Sequence, residues 1–278
     1  MTGVLALLSL MSLSVADPKA VNTIEHFASV WAGTTQATYG FRKGERLRDG
    51  TVTEDLLRLK YRKPEAFYIA VEGKDRGQEV LYDSNRRSGE LLVHKGRFPD
   101  LTLWLDIGGR LTLKRQRHPV THSGFTYLIK HLAHFVDGAR QGNGVSIKYG
   151  GEILWEGETL REVTIKAPLV LRRVAAQKDE ALLDFARRVK SDAYRIFEVN
   201  PSLDDFRDRL KEGVTYSVPT YYVVEARLLF RQGDGMLRAY EGRDASGNLL
   251  EHYRWDSLNL EPGLSAVDFS EENPAYRF

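Results

Sequence analysis

The chain has 278 residues with 40 Lys and Arg against 38 Asp and Glu, 42% hydrophobic residues and no cysteine. That length and apolar fraction suit a globular protein with a real core and argue against a disordered chain. A net charge of +2 is too small to drive nucleic-acid binding, and the missing cysteines exclude disulfides, thiolate metal sites, cysteine catalysis and a lipidated N-terminal cysteine.

Residues 2–16 carry no charge, and Val4–Val15 is an apolar run that ends in Ser14-Val15-Ala16, a small-x-small sequence of the kind signal peptidase cuts. At 12 residues the run is too short to span a bilayer, which takes roughly 20. Residues 1–16 are therefore expected to be a secretory signal and 17–278 a single exported domain, periplasmic, soluble and not lipid-anchored.

Val21, Ile24, Ala28 and Trp31 fall at helical spacing and predict an amphipathic helix over 19–32. From 36 to 114 the period changes to two. Leu57, Leu59 and Tyr61 alternate with basic residues; Phe67, Ile69 and Val71 follow; then come Leu101, Leu103 and Leu105, and finally Leu111 and Leu113 around Thr112. This is the pattern of a meander of antiparallel strands, each half-buried on one face. Phe125, Leu128, Ile129, Leu132 and Val136 predict a second helix from about 121, capped by Thr121 or Ser123 and ended by Gly138. Strands are expected at 145–149, 152–156 and 160–166, helices over 178–198 and from Ser202 to about Gly213, and strands again at 220–231, 235–243 and 248–256. The tail from 261 is irregular.

Residues able to carry chemistry are scattered. His131 and His134 stand three apart on the second helix, but they lie opposite its apolar stripe and lack the acidic partners of a metal motif, so they are expected to face solvent. His118 and His122 precede that helix. No nucleophile elbow or phosphate-binding loop is present, and the acid pairs Glu54-Asp55, Asp204-Asp205 and Glu271-Glu272 lie in polar surroundings. No enzyme, catalytic residue, metal or cofactor is expected. The basic series Arg42, Lys43, Arg46, Arg48, Arg58, Lys60 and Arg62, with Arg110, Lys114, Arg115 and Arg117, would form a positive outer strand face, either solvated or docking an envelope partner.

A long sheet with one apolar face needs helices, a second sheet or a ligand to cover it. The residues expected to line such a ligand cavity are Trp31, Leu57, Leu59, Phe67, Ile69, Val80, Tyr82, Leu101 and Leu103, although each could equally be core. The expected function is a carrier or sensor for a lipid, acyl chain or other hydrophobic ligand, without catalysis; the alternative is an envelope interaction protein.

Lys43-Gly44-Glu45-Arg46, Lys60-x-Arg62-x-Pro64-x-x-x-Tyr68, Gly77-Gln78-Glu79-Val80-x-Tyr82, His118-Pro119-Val120 and Asn273-Pro274-x-Tyr276-x-Phe278 resemble an exported bacterial family of unassigned function, DUF1571. Residues 167–214 fit it poorly and read as a helix-rich insertion. That family is similar in organisation to the lipoprotein carriers LolA and LolB. The resemblance implies an α+β, mainly antiparallel fold: an unclosed half-barrel whose concave face is covered by helices. This chain lacks the cysteine that anchors LolB.

Overall fold

A computed structural model describes residues 15–87, 89–205 and 207–278. The expected signal segment lies almost entirely outside these residues. Of it, Val15 and Ala16 form a short strand (β1, Val15–Ala16) that pairs in parallel with Ser146 and Ile147. Asp17 then caps the first helix, α1 (Pro18–Gly33), by accepting from the amides of Lys19 and Ala20.

A meander follows: β2 (Gln36–Arg46), β3 (Val52–Arg62), β4 (Ala66–Val71), β5 (Glu79–Asp83), β6 (Glu90–His94) and β7 (Thr102–Asp106). After helix α2 (Phe125–Arg140) come β8 (Ser146–Trp155), β9 (Glu158–Lys166), β10 (Leu171–Ala175), helices α3 (Leu182–Arg188) and α4 (Ala193–Val199), and strands β11 (Thr215–Pro219), β12 (Glu225–Arg231), β13 (Leu237–Arg243) and β14 (Leu249–Asn259). Twelve strands form one sheet in the order β1-β8-β9-β12-β13-β14-β2-β3-β4-β5-β6-β7; β10 and β11 make a separate hairpin-like pair. The end strands β1 and β7 do not meet, so the sheet is the unclosed half-barrel that the resemblance implies.

The two faces of the sheet are covered differently. On the concave side α1 and α2 lie over the middle strands. Phe27 packs edge-on against Phe125, and Trp31 stacks on Tyr61 with centroids 4.7 Å apart. On the convex side the C-terminal tail, which includes a 3-10 turn at Ala266–Phe269, packs Phe269, Tyr276 and Phe278 on Ala66, Tyr68, Leu81 and Leu92. The face expected to be basic is partly neutralised within the chain: Lys60 meets Asp268 of the tail at 2.7 Å, while Arg62 pairs with Asp83 of β5 and Arg58 with Glu72 just past β4. Part of the positive outer face is therefore already docked by the chain itself.

Several local expectations are corrected. Leu111 and Leu113 lie in an irregular turn between β7 and α2, where Gly108-Gly109 and the hydroxyl of Thr112, donating to backbone carbonyls, replace a ladder. Neither Thr121 nor Ser123 caps α2; a 3-10 turn at Val120–His122 precedes it and Gly124 is its N-cap. Gly138 sits inside that helix because Tyr221 packs there: a Cβ would lie 2.2 Å from its hydroxyl. The strands expected at 145–149 and 152–156 are one strand, bulged at Gly150-Gly151, where Gly151 takes φ +96°. The helix expected over 178–198 breaks in two at Lys190, which has φ +53°, and restarts on the N-cap Asp192. No helix forms after Ser202 among the described residues; Asp208 accepts from the amides of Asp204 and Asp205 and holds a loop instead. The strand expected at 220–231 begins only at Glu225; Thr220 to Val224 turn the chain into it from β11, which belongs to the separate pair.

The region 167–214 has its own small core, in which Leu182, Phe185, Ile196, Leu203 and Leu210 pack with Tyr216 and Val218 of β11. It joins the half-barrel through the β2–β3 turn: the Arg48 amide donates to the Tyr194 hydroxyl, and the Arg48 guanidinium donates to the Leu203 carbonyl at 2.6 Å.

Candidate functional site

Helices α1 and α2 do not reach the far end of the concave face. Past them the walls of β3 to β7 stay open and bound a cavity of about 390 Å³. Its wall is apolar, from Phe41, Leu57, Ile69, Val80, Leu91, Val93 and Leu105. Its floor is polar, from Lys43, Glu45, His118, His122, Tyr127, Tyr222, Glu251 and Tyr253. The irregular turn after β7 forms one side. There Leu111 lines the cavity while 68% exposed, which places it at the mouth.

Of the residues expected to line a cavity, Leu57, Ile69 and Val80 do so. Leu59, Phe67 and Tyr82 share the same sheet face but are buried beneath the helices as core, together with Trp31 of α1. Leu101 and Leu103 are 44% and 48% exposed near the sheet edge and do not border the cavity. The difference lies in how far the helices extend along the sheet, which strand periodicity does not encode.

The floor is a network of buried charge. Glu45 of β2 and Glu251 of β14 are each 1% exposed, and Arg117 is fully buried. Arg117 donates to the Arg46 carbonyl at 2.6 Å and forks onto both carboxylate oxygens of Glu198 at 2.6 and 3.1 Å, while its amide donates to Glu45 at 3.0 Å. Its guanidinium also lies over the Tyr194 ring, 4.4 Å from the centroid. Arg195 donates to the Tyr222 carbonyl at 3.0 Å and pairs with Glu198. Glu251 accepts from the hydroxyls of Tyr222 and Tyr253 and lies 3.2 Å from His118 Nε2. On the other side of that ring, Asp192 stands 3.7 Å from Nδ1 and accepts from the Tyr127 hydroxyl at 2.5 Å.

Charge bookkeeping explains the protonation of this set. Four carboxylates (Glu45, Asp192, Glu198, Glu251) face three permanent cations, Lys43, Arg117 and Arg195, and Lys43 is shared with the partly exposed Asp55. A proton on His118 offsets the excess of acid in this buried set. Burial alone would lower the His118 pKa, but its hydrogen bond to Glu251 and the charges of Asp192, Glu251 and Glu45 outweigh that and raise it. Burial alone would likewise raise Glu251, but the His118 bond and charge, together with Arg117, hold it down at about 2. Glu45 is lowered against its burial by Lys43 and His118. His131 and His122 behave oppositely. Burial, with no acid bonded to either ring, pushes His131 down to about 4 and His122 well below the ordinary range.

This corrects three expectations. His131 does not face solvent; it packs against Tyr127 and Tyr222, with Nε2 buried and without a hydrogen-bond partner. Only His134 is exposed, near the Thr220 carbonyl. Arg117 belongs to the interior rather than to a basic outer face. The acids that matter electrostatically are Glu45 and Glu251, not the adjacent acid pairs. A signal for them existed in the phase of the strands: Glu45 is in step with Tyr39 and Phe41, and Glu251 with Tyr253 and Trp255, so both carboxylates point to the apolar side.

Glu45, His118 and Glu251 bring ligand-type atoms within 4.8 Å of one another. Those atoms are already engaged by two tyrosine hydroxyls, the Arg117 amide and the shared His118 proton, and the Arg117 Nε stands 3.9 Å from Glu251. A divalent cation would have to displace these donors beside a guanidinium.

Residues 35–278 match the family described as protein of unknown function (DUF1571). The chain belongs to that family. In structure it is similar to the lipoprotein LppX of Mycobacterium tuberculosis (15% identity, TM-score 0.43, 89% of this chain and 98% of that one). It is also similar to MucB in the MucA/MucB complex of Pseudomonas aeruginosa (11%, 0.41, 91% and 60%) and to a LolA superfamily protein of Nitrosomonas europaea (10%, 0.28, 91% and 97%). No protein of curated function matches the sequence. No helix among the described residues is long and apolar enough to cross a membrane.

Proposed function

We propose that this DUF1571 protein is an exported carrier or sensor that holds a lipid, acyl chain or other slender hydrophobic ligand in the half-barrel cavity, without chemistry on it. The observation that carries this reading is the uncovered stretch of concave sheet: an apolar wall open to a cavity of about 390 Å³. A sheet face built only as core would be closed by its helices. The volume falls near the low end of small-molecule pockets, roughly 300–1,000 Å³, and suits one chain rather than a bulky multi-acyl anchor. Burying about ten methylenes contributes on the order of 8 kcal/mol, from which association costs of several kcal/mol are subtracted. The net is a reversible carrier's affinity. The alternative of a partner docked on the basic strand face is weakened, because Arg58, Lys60 and Arg62 are already paired within the chain.

Native mass spectrometry of protein purified without detergent, followed by titration with a fluorescent fatty acid, tests the reading. Ile69→Trp and, separately, Val80→Phe place bulk on the wall, and each is expected to reduce uptake while leaving the circular dichroism spectrum unchanged. Uptake that is absent in the unaltered protein, or that is equal in both well-folded variants, overturns it.

A further inference from the structure

The floor and the mouth of the cavity differ in what they leave unpaired. The acids that border the cavity already stand beside basic groups: Glu45 and Asp55 share Lys43 at 3.4 and 3.6 Å, Glu251 lies 3.2 Å from His118, Glu54 lies 3.3 Å from His252, and Asp75 meets Arg97 at 3.3 Å. At the mouth the situation reverses. Lys74, Lys114 and Arg115 all border the cavity, all are exposed, and none has an ion-pair partner among the described residues. Three uncompensated cations thus ring an apolar opening whose acids are already spoken for.

The segment that carries two of them is held rather than loose. Leu113 is buried against the small core of the insertion, and Arg117 is locked into the floor. Between them Gln116 accepts from Lys43, and the Arg115 amide donates to the Leu113 carbonyl at 3.0 Å. Arg115 takes φ +122°, a conformation that residues with a side chain rarely adopt and that persists only where the surroundings impose it. Fixing Leu113 and Arg117 inward leaves Lys114 and Arg115 turned out beside the opening.

Resting on the carrier reading above, the geometry points to a single-chain anionic amphiphile as the ligand, with its apolar tail along Leu57, Ile69 and Val80 and its carboxylate or phosphate headgroup at the mouth against Lys74, Lys114 and Arg115. The opposite orientation would bring an anionic head against Glu45 and Glu251, two buried carboxylates whose pKa values are lowered, where the unpaired Arg117 Nε already faces Glu251 at 3.9 Å. A cationic head would meet acids at the mouth that already have partners, beside three cations that do not.

The test uses the full chain and 12-carbon probes below their micellar concentrations: dodecanoate, dodecyl phosphate, dodecanol and dodecylamine. Binding is read from the fluorescence of Trp255, which lines the cavity. The two anions are expected to bind about tenfold tighter than dodecanol, a preference that shrinks as salt rises because the cations are exposed. A triple variant, Lys74→Glu with Lys114→Glu and Arg115→Glu, is expected to lose that preference while its affinity for dodecanol stays unchanged. If only one of dodecanoate and dodecyl phosphate shows the preference, the headgroup chemistry is assigned to that anion. Equal binding of anions and alcohol, tighter binding of the amine, or a preference that survives charge reversal overturns the inference and leaves the carrier reading standing. If none of the four probes binds, both fall.

Discussion

Arg117→Met is the sharpest test of the buried network. The side chain is fully buried, makes three hydrogen bonds to Glu198 and the Arg46 carbonyl, and supplies one of the three permanent cations set against the floor's carboxylates. Methionine fills much of the volume but removes the charge. Breaking one partner out of a buried ion pair typically costs about 3–5 kcal/mol, because the remaining charge is left uncompensated in a low dielectric. Glu198 keeps Arg195 and is slightly exposed, and Glu251 keeps His118, so the lower end applies here, about 3 kcal/mol. For a chain of this size that lowers the melting temperature by roughly 6–12 °C. Urea and thermal melts at pH 6.5 measure it. Arg117→Lys keeps the charge but loses the fork onto Glu198, and is expected to fall between the two.

The double variant Arg117→Met with Glu198→Met separates charge from packing. Replacing both members of a buried pair by apolar groups is often nearly neutral, so the double variant should recover much of the loss, with a coupling of about 1–3 kcal/mol in the cycle. A single variant that loses less than about 1 kcal/mol, or a double variant as unstable as the sum of the two singles, would refute the reasoning that Arg117 compensates buried carboxylate charge.

Two further outcomes follow from the same structure. Stability should peak near pH 6.5 and fall on both sides. His118 is raised in the fold, so its contribution is complete below 6.5 and is lost as the pH climbs through its folded value; His131 is lowered to about 4, so the unfolded chain takes its proton first between 6.5 and 4, and up to about 3 kcal/mol is lost on that limb. His122 is lowered as well and adds to the same limb, and below about 4.5 the protonation of Glu251 adds a further loss; His131→Phe should therefore make the limb from 6.5 to 4 shallower without removing it when urea melts are compared at pH 4.5, 5.5 and 6.5. Lys60→Glu turns a 2.7 Å attraction to Asp268 into a repulsion, so hydrogen exchange over 266–278 should quicken while global stability moves by no more than about 1 kcal/mol; an unchanged exchange pattern would show that Phe269 and Tyr276 alone hold the tail.

How much of this was legible in the sequence depends on the range of the interaction that decides each feature. The alternation Leu57-Leu59-Tyr61 and Phe67-Ile69-Val71 is a local consequence of the pleat, and it places those residues on the concave face wherever the strands pair. The first helix is legible for the same reason. Whether a given concave residue is core or cavity wall is not local: Leu59 and Ile69 are cross-strand partners on one face, yet Leu59 lies beneath the helices and Ile69 beside the opening. That choice is made by Trp31 stacking on Tyr61 and by Phe125 packing on Phe27, contacts across long stretches of chain that fix where the helices stop. The buried charges fail to show for a related reason. A lone Glu45 between Gly44 and Arg46 reads as surface, and it becomes interior only because Tyr253, the Arg117 amide and His118 arrive from elsewhere in the chain to satisfy it. An acid in phase with an aromatic strand face is a discord between pattern and polarity. The discords at Glu45 and Glu251 converge on the floor of the opening in the concave face, where the proposed carrier would keep polarity next to an apolar wall.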